Sequence, residues 1–254
     1  MPVATMREGH VAVVTFARPP HNFADLQLIE AIGAAFDACD ADQEVRAIVL
    51  RSEGRVFCAG ADLAKDNPVA GGVTEERNPF YVAAAKLFGV RKPVVAAVQG
   101  SAVGAGLGLS LVADFRVAAP EARFVANFVQ LGFHPGFGIS AVLERVVGRQ
   151  RALLMLLTGR RVKGEKAHDW GLADRLASLD GLDAAALALA QEIAAGAPLA
   201  VQSTRATLRG DLAALVERAT DHELAEQAWL QKTRDFAEGV RAVAERRPGR
   251  FMGE

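Results

Sequence analysis

Gln99-Gly100-Ser101-Ala102-Val103-Gly104-Ala105-Gly106 is the stretch on which the reading of this chain turns. Its side chains are mostly small or absent, and it runs straight into an apolar segment ending at Ala113. A turn of this composition lets another backbone or a ligand approach closely, and a helix that starts inside it leaves its first N–H groups without intrahelical partners. Those groups, with the partial positive charge of the helix end, favour an anion or a developing negative charge. No Lys-Ser/Thr pair follows, which excludes a phosphate-binding P-loop, and Gly104-Ala105-Gly106 lacks dinucleotide-binding spacing. Small-residue runs also permit tight packing of a helix on a sheet, so this stretch alone leaves both readings open.

Outward from it, the chain alternates strand-like and helical pieces. Pro93–Val98 is an apolar run suited to a buried strand, and Ala47–Leu50 is another, flanked by charge. Val11–Phe16 alternates as a strand and is stopped by Arg18-Pro19-Pro20, after which Asp25 stands where an N-cap belongs, ahead of an amphipathic helix from Leu26 to about Ala41. Phe57-Cys58-Ala59-Gly60-Ala61-Asp62-Leu63 is a second small-residue turn. Phe80–Phe88 is expected as a helix, Gly100–Ala113 as a small-residue helix entered through its glycine turn, and Phe115–Ala119 and Arg123–Phe128 as strands. From Gly138 onward the pattern is mostly helical, and Pro198 interrupts it. An α/β core over residues 1–195 with a helical region over 196–254 is the expected organisation.

Composition narrows the function. A net charge of −1 offers no basic surplus for neutralising nucleic-acid phosphates, and no apolar run reaches the roughly 18–20 residues that span a bilayer. Cys39 and Cys58 have neither zinc nor redox spacing and fit ordinary thiols in a reducing compartment. A cytoplasmic protein without nucleic-acid or membrane partners is expected.

Taken together and in order, the two glycine-rich turns resemble the enoyl-CoA hydratase/isomerase (crotonase) superfamily. Val95–Phe115 fits its signature around Gly100, Gly104-Ala105-Gly106 and Asp114, and Leu131-Gly132-Phe133-His134-Pro135-Gly136 matches its Leu-Gly-x-x-Pro-Gly turn. Leu157-Thr158-Gly159-Arg160-Arg161, Trp170-Gly171-Leu172, Phe236-Ala237-Glu238-Gly239 and Phe251 match later landmarks, so the resemblance covers nearly the whole chain. It implies a fold of stacked ββα units with C-terminal helices supporting trimers or dimers of trimers. It also implies an acyl-CoA substrate whose thioester carbonyl sits between the backbone N–H groups of Ala61 and Ala105, with Ala59, Ala61, Asp62, Leu63 and Phe128 around it. Coenzyme A would enter as part of the substrate, with no metal or further cofactor. Asp62 is expected to shape its turn.

The resemblance fails at the proton-handling groups. The first of the family's two glutamates falls eight positions after Gly100, at Gly108, and the second four before Gly132, at Phe128. Neither side chain transfers a proton. His134 is the candidate substitute, since a histidine cycles protons near neutral pH, with a structural histidine bonding a backbone carbonyl as the alternative. Asn127 and Gln130 could orient a water or a substrate oxygen, Asp66, Glu75 and Glu76 are weaker acid candidates, and Arg246 and Arg247 could meet CoA phosphates. Phe128, Phe133 and Phe137 suggest an apolar or aromatic acyl group. The expected activity is hydration or double-bond isomerisation of an enoyl-CoA. The alternatives are a non-catalytic acyl-CoA-binding homologue and a crotonase with other chemistry such as C–C cleavage. A related serine-peptidase fold would need a serine at the helix entry, where Val103-Gly104 stands.

Overall fold

The computed structural model describes residues 2–63 and 77–254. β1 (Val3–Glu8) and β2 (Val11–Phe16) form an antiparallel hairpin, and α1 (Leu26–Ala41) follows with Asp25 as its cap, the carboxylate accepting from Leu28 N at 2.9 Å. β3 (Ala47–Ser52) lies parallel to β2. α2 (Pro79–Leu87) opens with proline at its first position, where a missing N–H costs nothing, and Asn78 Oδ1 accepts from Phe80 N. β4 (Val94–Val98) joins β3 in parallel; then come β5 (Ser101–Val103), α3 (Ala105–Val112), β6 (Phe115–Ala118) and β7 (Arg123–Val125). A 3-10 turn at Asn127–Leu131 leads to α4 (Ile139–Val147), α5 (Arg149–Thr158), β8 (Arg161–Lys163), α6 (Gly164–Asp169) and β9 (Arg175–Leu176). The chain finishes through α7 (Leu182–Ala194), α8 (Pro198–Arg209), α9 (Leu212–Leu230) and α10 (Arg234–Ala244).

The strands make a six-stranded sheet in the order β1-β2-β3-β4-β6-β9 and a three-stranded sheet β5-β7-β8. Strand alternation divides the large sheet between two cores. Ala12, Val14, Ile48, Leu50, Val94 and Ala96 point into the main core, while Val11, Val13, Ala47, Val49, Val95 and Ala97 meet α7 on the other face. Burial on both faces explains why β3 and β4 are continuous apolar runs. No single helix among the described residues is long and apolar enough to cross a membrane.

Two expected elements are redrawn. The small-residue helix expected from Gly100 begins only at Ala105, because Ser101–Val103 pairs in parallel with Arg123–Val125 and forms a strand. The strand expected through Phe128 ends at Val125, where the backbone departs from extended geometry and turns into the 3-10 segment. β1 was not anticipated: most of it is exposed, so it shows no buried alternation.

The last helices pack back on the α/β part. α9 lies against α2 and α4, and α10 lies against the 3-10 turn. Gly132 and Gly239 permit the second contact, since a Cβ on Gly132 would stand 2.8 Å from the Asp235 backbone and one on Gly239 would collide with the Leu131 backbone. α8 is held by Asp114, whose carboxylate accepts from Val94 N at 2.8 Å, Arg205 Nε at 2.8 Å and Arg209 Nη1 at 2.7 Å. Asp114→Ala leaves two largely buried guanidiniums without their counter-charge. It should lower unfolding free energy by roughly 3–5 kcal/mol, measured by urea denaturation.

Glu238 of α10 ties down the tail, accepting from Arg247 Nη2 at 3.1 Å, Arg241 Nη2 at 2.6 Å and Arg250 N at 2.9 Å. The Arg247 and Arg241 guanidiniums, with that amide, hold its carboxyl well below the ordinary 4.5. A carboxyl with a depressed folded pKa contributes stability above its unfolded pKa and loses it as pH falls through the folded value. The thermal midpoint of the wild-type chain should therefore exceed that of Glu238→Gln at pH 7, and the gap should close progressively below about pH 4.5.

Candidate functional site

The two glycine-rich turns lie against each other through backbone alone. Cys58 N donates to Ser101 O and Val103 N to Cys58 O, both at 3.0 Å. Side chains are excluded at the junction. A Cβ on Gly60, which has φ +89°, would stand 2.7 Å from Val103 O and 3.6 Å from Ala105 N, and one on Gly106 would collide with Cys58 O. Ala105 is the first residue of α3, so its N–H has no intrahelical acceptor. Neither Ala61 N nor Ala105 N donates to a backbone acceptor among the described residues. The Cys58 thiol beneath them is fully buried and pushed up to about 12 by desolvation, which makes it inert.

Ala61 and Ala105 both line a cavity of about 380 Å³, within the range of small-molecule sites. Ala59, Asp62, Leu63 and Phe128 line it too, so the structure brings together all the residues expected around the thioester. Phe23, Phe80, Phe133 and Phe137 make its walls strongly apolar, and Val240, Val243 and Ala244 of α10 complete them. Asp62 is the one acidic residue in that lining among the described residues.

At Gly108 and at Phe128, the positions where the resemblance implies glutamates, an aromatic ring takes the space. A Cβ on Gly108 would stand 2.5 Å from Phe137 Cδ1, so the Phe137 ring rests on the bare backbone of α3 one turn beyond Ala105. Phe137 adopts φ 62°, a left-handed backbone that costs a non-glycine residue roughly 1–2 kcal/mol. Edge-to-face contact with Phe80, centroids 5.9 Å apart, helps hold the ring there. Phe128, carried by the 3-10 turn, is buried against the Gly104 side of the helix entry.

His134 is not brought to this cavity. Its Nδ1 donates to the Pro135 carbonyl at 2.9 Å, its ring meets the edge of His222, and its side chain lines a separate groove with Leu153, Leu157 and Trp229. Asn127 does line the cavity, whereas Gln130 donates to Thr158 O at 3.0 Å on the surface. Asp66, Glu75 and Glu76 lie outside the described residues. Arg247 is engaged by Glu238 and Glu245. Among the described residues no cluster of His, Cys, Asp and Glu is placed to hold a metal ion.

Sequence reading missed a polar pair in the cavity lining. Tyr81 Oη donates to Gln227 Oε1 at 2.7 Å, and Gln227 Nε2 donates to the carbonyls of His134 at 2.9 Å and Pro135 at 3.2 Å. Behind them Glu223, fully buried, accepts from Gly138 N at 2.8 Å, Ser140 N at 3.1 Å and Ser140 Oγ at 2.6 Å. Burial raises the Glu223 pKa despite those donors, and burial, with Glu223 adding to it, raises that of Tyr81, which stays a neutral phenol. The signal available beforehand was that Tyr81 is the sole tyrosine of the chain.

Residues 6–254 match the family model described as Enoyl-CoA hydratase/isomerase. The chain is 37% identical over 234 residues to a Mycobacterium tuberculosis protein named "Probable enoyl-CoA hydratase EchA14", covering 90% of each. It is 35% identical over 255 residues to the mevalonyl-coenzyme A hydratase SIDH of Beauveria bassiana, covering 94% of this chain and 90% of that one. The crystal structure of an enoyl-CoA hydratase/isomerase from Pseudoalteromonas atlantica superposes with a TM-score of 0.87 at 27% identity, over 99% of this chain and all of the other. The chain belongs to the enoyl-CoA hydratase/isomerase family and has the crotonase fold.

Because a Cβ at position 108 would claim the space of the Phe137 ring, the two positions should be coupled. Gly108→Ala alone should cost roughly 1–3 kcal/mol by overpacking. In a Phe137→Ala background the same change should cost less than about 0.5 kcal/mol or stabilise, since alanine is the better helix former. A double-mutant cycle read by chemical denaturation checks the coupling.

Proposed function

We propose that this member of the enoyl-CoA hydratase/isomerase family binds an acyl-CoA thioester with its carbonyl oxygen between the amides of Ala61 and Ala105 and stabilises the enolate formed there. The observation that carries this reading is that Ala61 and Ala105, whose N–H groups donate to no backbone acceptor among the described residues, line one apolar cavity. As a proton leaves the acyl chain, its electron pair moves toward the thioester oxygen. Fixed donors then stabilise the growing charge more than they stabilise the ground state. An apolar surround strengthens them by excluding water.

The lining favours a one-base 1,3-proton shift, double-bond isomerisation, over hydration. Syn hydration needs one group to activate water and another to protonate carbon, and rings fill the space at Gly108 and Phe128, where the family resemblance implies glutamates. Asp62, expected to shape its turn, also contributes the acidic side chain of the lining. In this reading it takes a proton from one carbon and returns it to another, while the charge rests on the oxygen between the two amides. His134 is a poor candidate for that duty, given its place in a separate groove.

The amide of Ala105 can be deleted cleanly, because proline is tolerated at the first position of a helix. Ala105→Pro should retain the fold and lower kcat roughly 100- to 1,000-fold. The assay is 2-enoyl- and 3-enoyl-CoA thioesters in D2O, read by mass spectrometry. Interconversion of the two isomers, separated by chromatography, without a mass gain of water marks isomerisation, whether or not deuterium enters, since a single base can return the proton it took; a mass gain of one water marks hydration. Acyl-CoA binding with neither interconversion nor water addition would replace this reading with that of a non-catalytic acyl-CoA-binding protein.

A further inference from the structure

The cavity holds an unusual polar arrangement in its otherwise aromatic wall. Gln227 can sit only one way round. Its Nε2 spends both hydrogens on the carbonyls of His134 and Pro135, and the flipped amide would set oxygen against oxygen. Its Oε1 therefore faces Tyr81 and accepts the hydrogen bond of the phenol, oxygen to oxygen 2.7 Å. A phenol has one proton to give, and this one is committed to the protein. What the hydroxyl has left is lone pairs. Gly136 makes room for it, since a Cβ there would collide with Tyr81 Oη. Both Gly136 and Gln227 line the cavity, so the oxygen is held at its wall.

We infer that Tyr81 Oη is a specificity-determining acceptor, and that the acyl group of the substrate carries a hydroxyl beyond its reacting carbons which donates to it. The inference rests on the acyl-CoA reading above and adds the polarity of the acyl group. Position supports the distal placement: Tyr81 Oη lies against Gly136, next in chain to the Phe137 ring that covers Gly108, one turn of α3 past the Ala105 amide. Charge supports a hydroxyl over an acid. Glu223 stands behind the tyrosine with its carboxyl occupied by Gly138 and Ser140, and no basic side chain lines the cavity among the described residues. An acyl chain ending in a carboxylate would meet an acceptor and a buried acid. A keto group would find an acceptor where it needs a donor, whereas a hydroxyl supplies the missing proton. An unsubstituted chain would leave the buried oxygen short of a partner, and buried polar groups left so disfavour the ligand that causes it.

The alternative role for the Tyr81–Gln227 bond is a structural tie between α2 and α9, and the test separates the two. Dissociation constants of octanoyl-CoA, its 4-, 6- and 8-hydroxy derivatives and octanedioyl-CoA would be measured on the wild-type chain and on Tyr81→Phe. On the wild type, at least one hydroxylated ligand should bind on the order of tenfold tighter than octanoyl-CoA, and the diacid thioester should bind worst. In Tyr81→Phe the ratio of hydroxylated to plain ligand should fall to about one, whereas a tie would weaken both alike and keep the ratio. Because the chain has one tyrosine, 3-fluorotyrosine labels position 81 alone. Its fluorine resonance in the otherwise wild-type protein should move with the preferred hydroxylated ligand and differ from its position with octanoyl-CoA, which decides the matter even if Tyr81→Phe fails to fold. No hydroxyl preference in the wild type, a preference that survives in Tyr81→Phe, or one fluorine position for both ligands overturns the inference. Interconversion of 2-enoyl- and 3-enoyl-CoA by the same protein judges the enolate reading separately: a hydroxyl preference without any turnover of either isomer sinks that reading and leaves this one standing.

Discussion

Everything at the site depends on two turns of main chain meeting with no side chain between them. Cys58 exchanges hydrogen bonds with Ser101 and Val103, and Gly60 and Gly106 are the positions where even a methyl group would part the backbones. That contact sets the short strand β5 beside the first turn and fixes where α3 begins. It brings the N–H of Ala105 and the turn carrying Ala61 to one wall of one cavity. A donor set made of main chain is indifferent to side-chain identity, provided the turns can close. Alanine at 61 and 105 therefore leaves the main-chain donors in place.

The other half is written in side chains, and there the protein has gone its own way. A carboxylate transfers protons only if it is present, whereas here Phe137 rests on Gly108 and Phe128 is buried near Gly104. Both rings remove polarity from the region next to the amides. The same apolar surround that makes an amide donor effective makes an unpaired polar group expensive. The polar groups that remain in the wall are accordingly few, and Gln227 and Tyr81 are tied into a hydrogen-bond chain that ends on backbone carbonyls.

Much of the fold, and which residues of the two turns line one cavity, were legible beforehand, for identifiable reasons. Glycines at a close backbone contact are a local constraint, so the two turns stood out. The apolar runs of β3 and β4 announced strands buried on both faces. β1 escaped because its side chains are largely in solvent and carry no pattern. The helix assigned from Gly100 and the strand assigned through Phe128 were overextended because a three-residue strand leaves no periodicity to count. His134 was plausible by position along the chain, but its ring bonds the carbonyl of the next residue and turns away from the cavity. Tyr81 and Gln227 are 146 residues apart, and only the packing of α9 on α2 makes them neighbours.

The interlock of Gly108 with Phe137 also constrains the history of the site. A glutamate at 108 cannot enter while the ring is in place. Removing the ring first opens a void beneath a residue whose φ of 62° was tolerated because the ring was held. Each single step toward a carboxylate at 108 thus passes through a less stable protein, and no proton-transfer group is gained there until both changes are made. Such a pair behaves as a latch: neither position changes readily while the other stays. Descendants of this chain are then expected to diversify around the aromatic wall and to retain it.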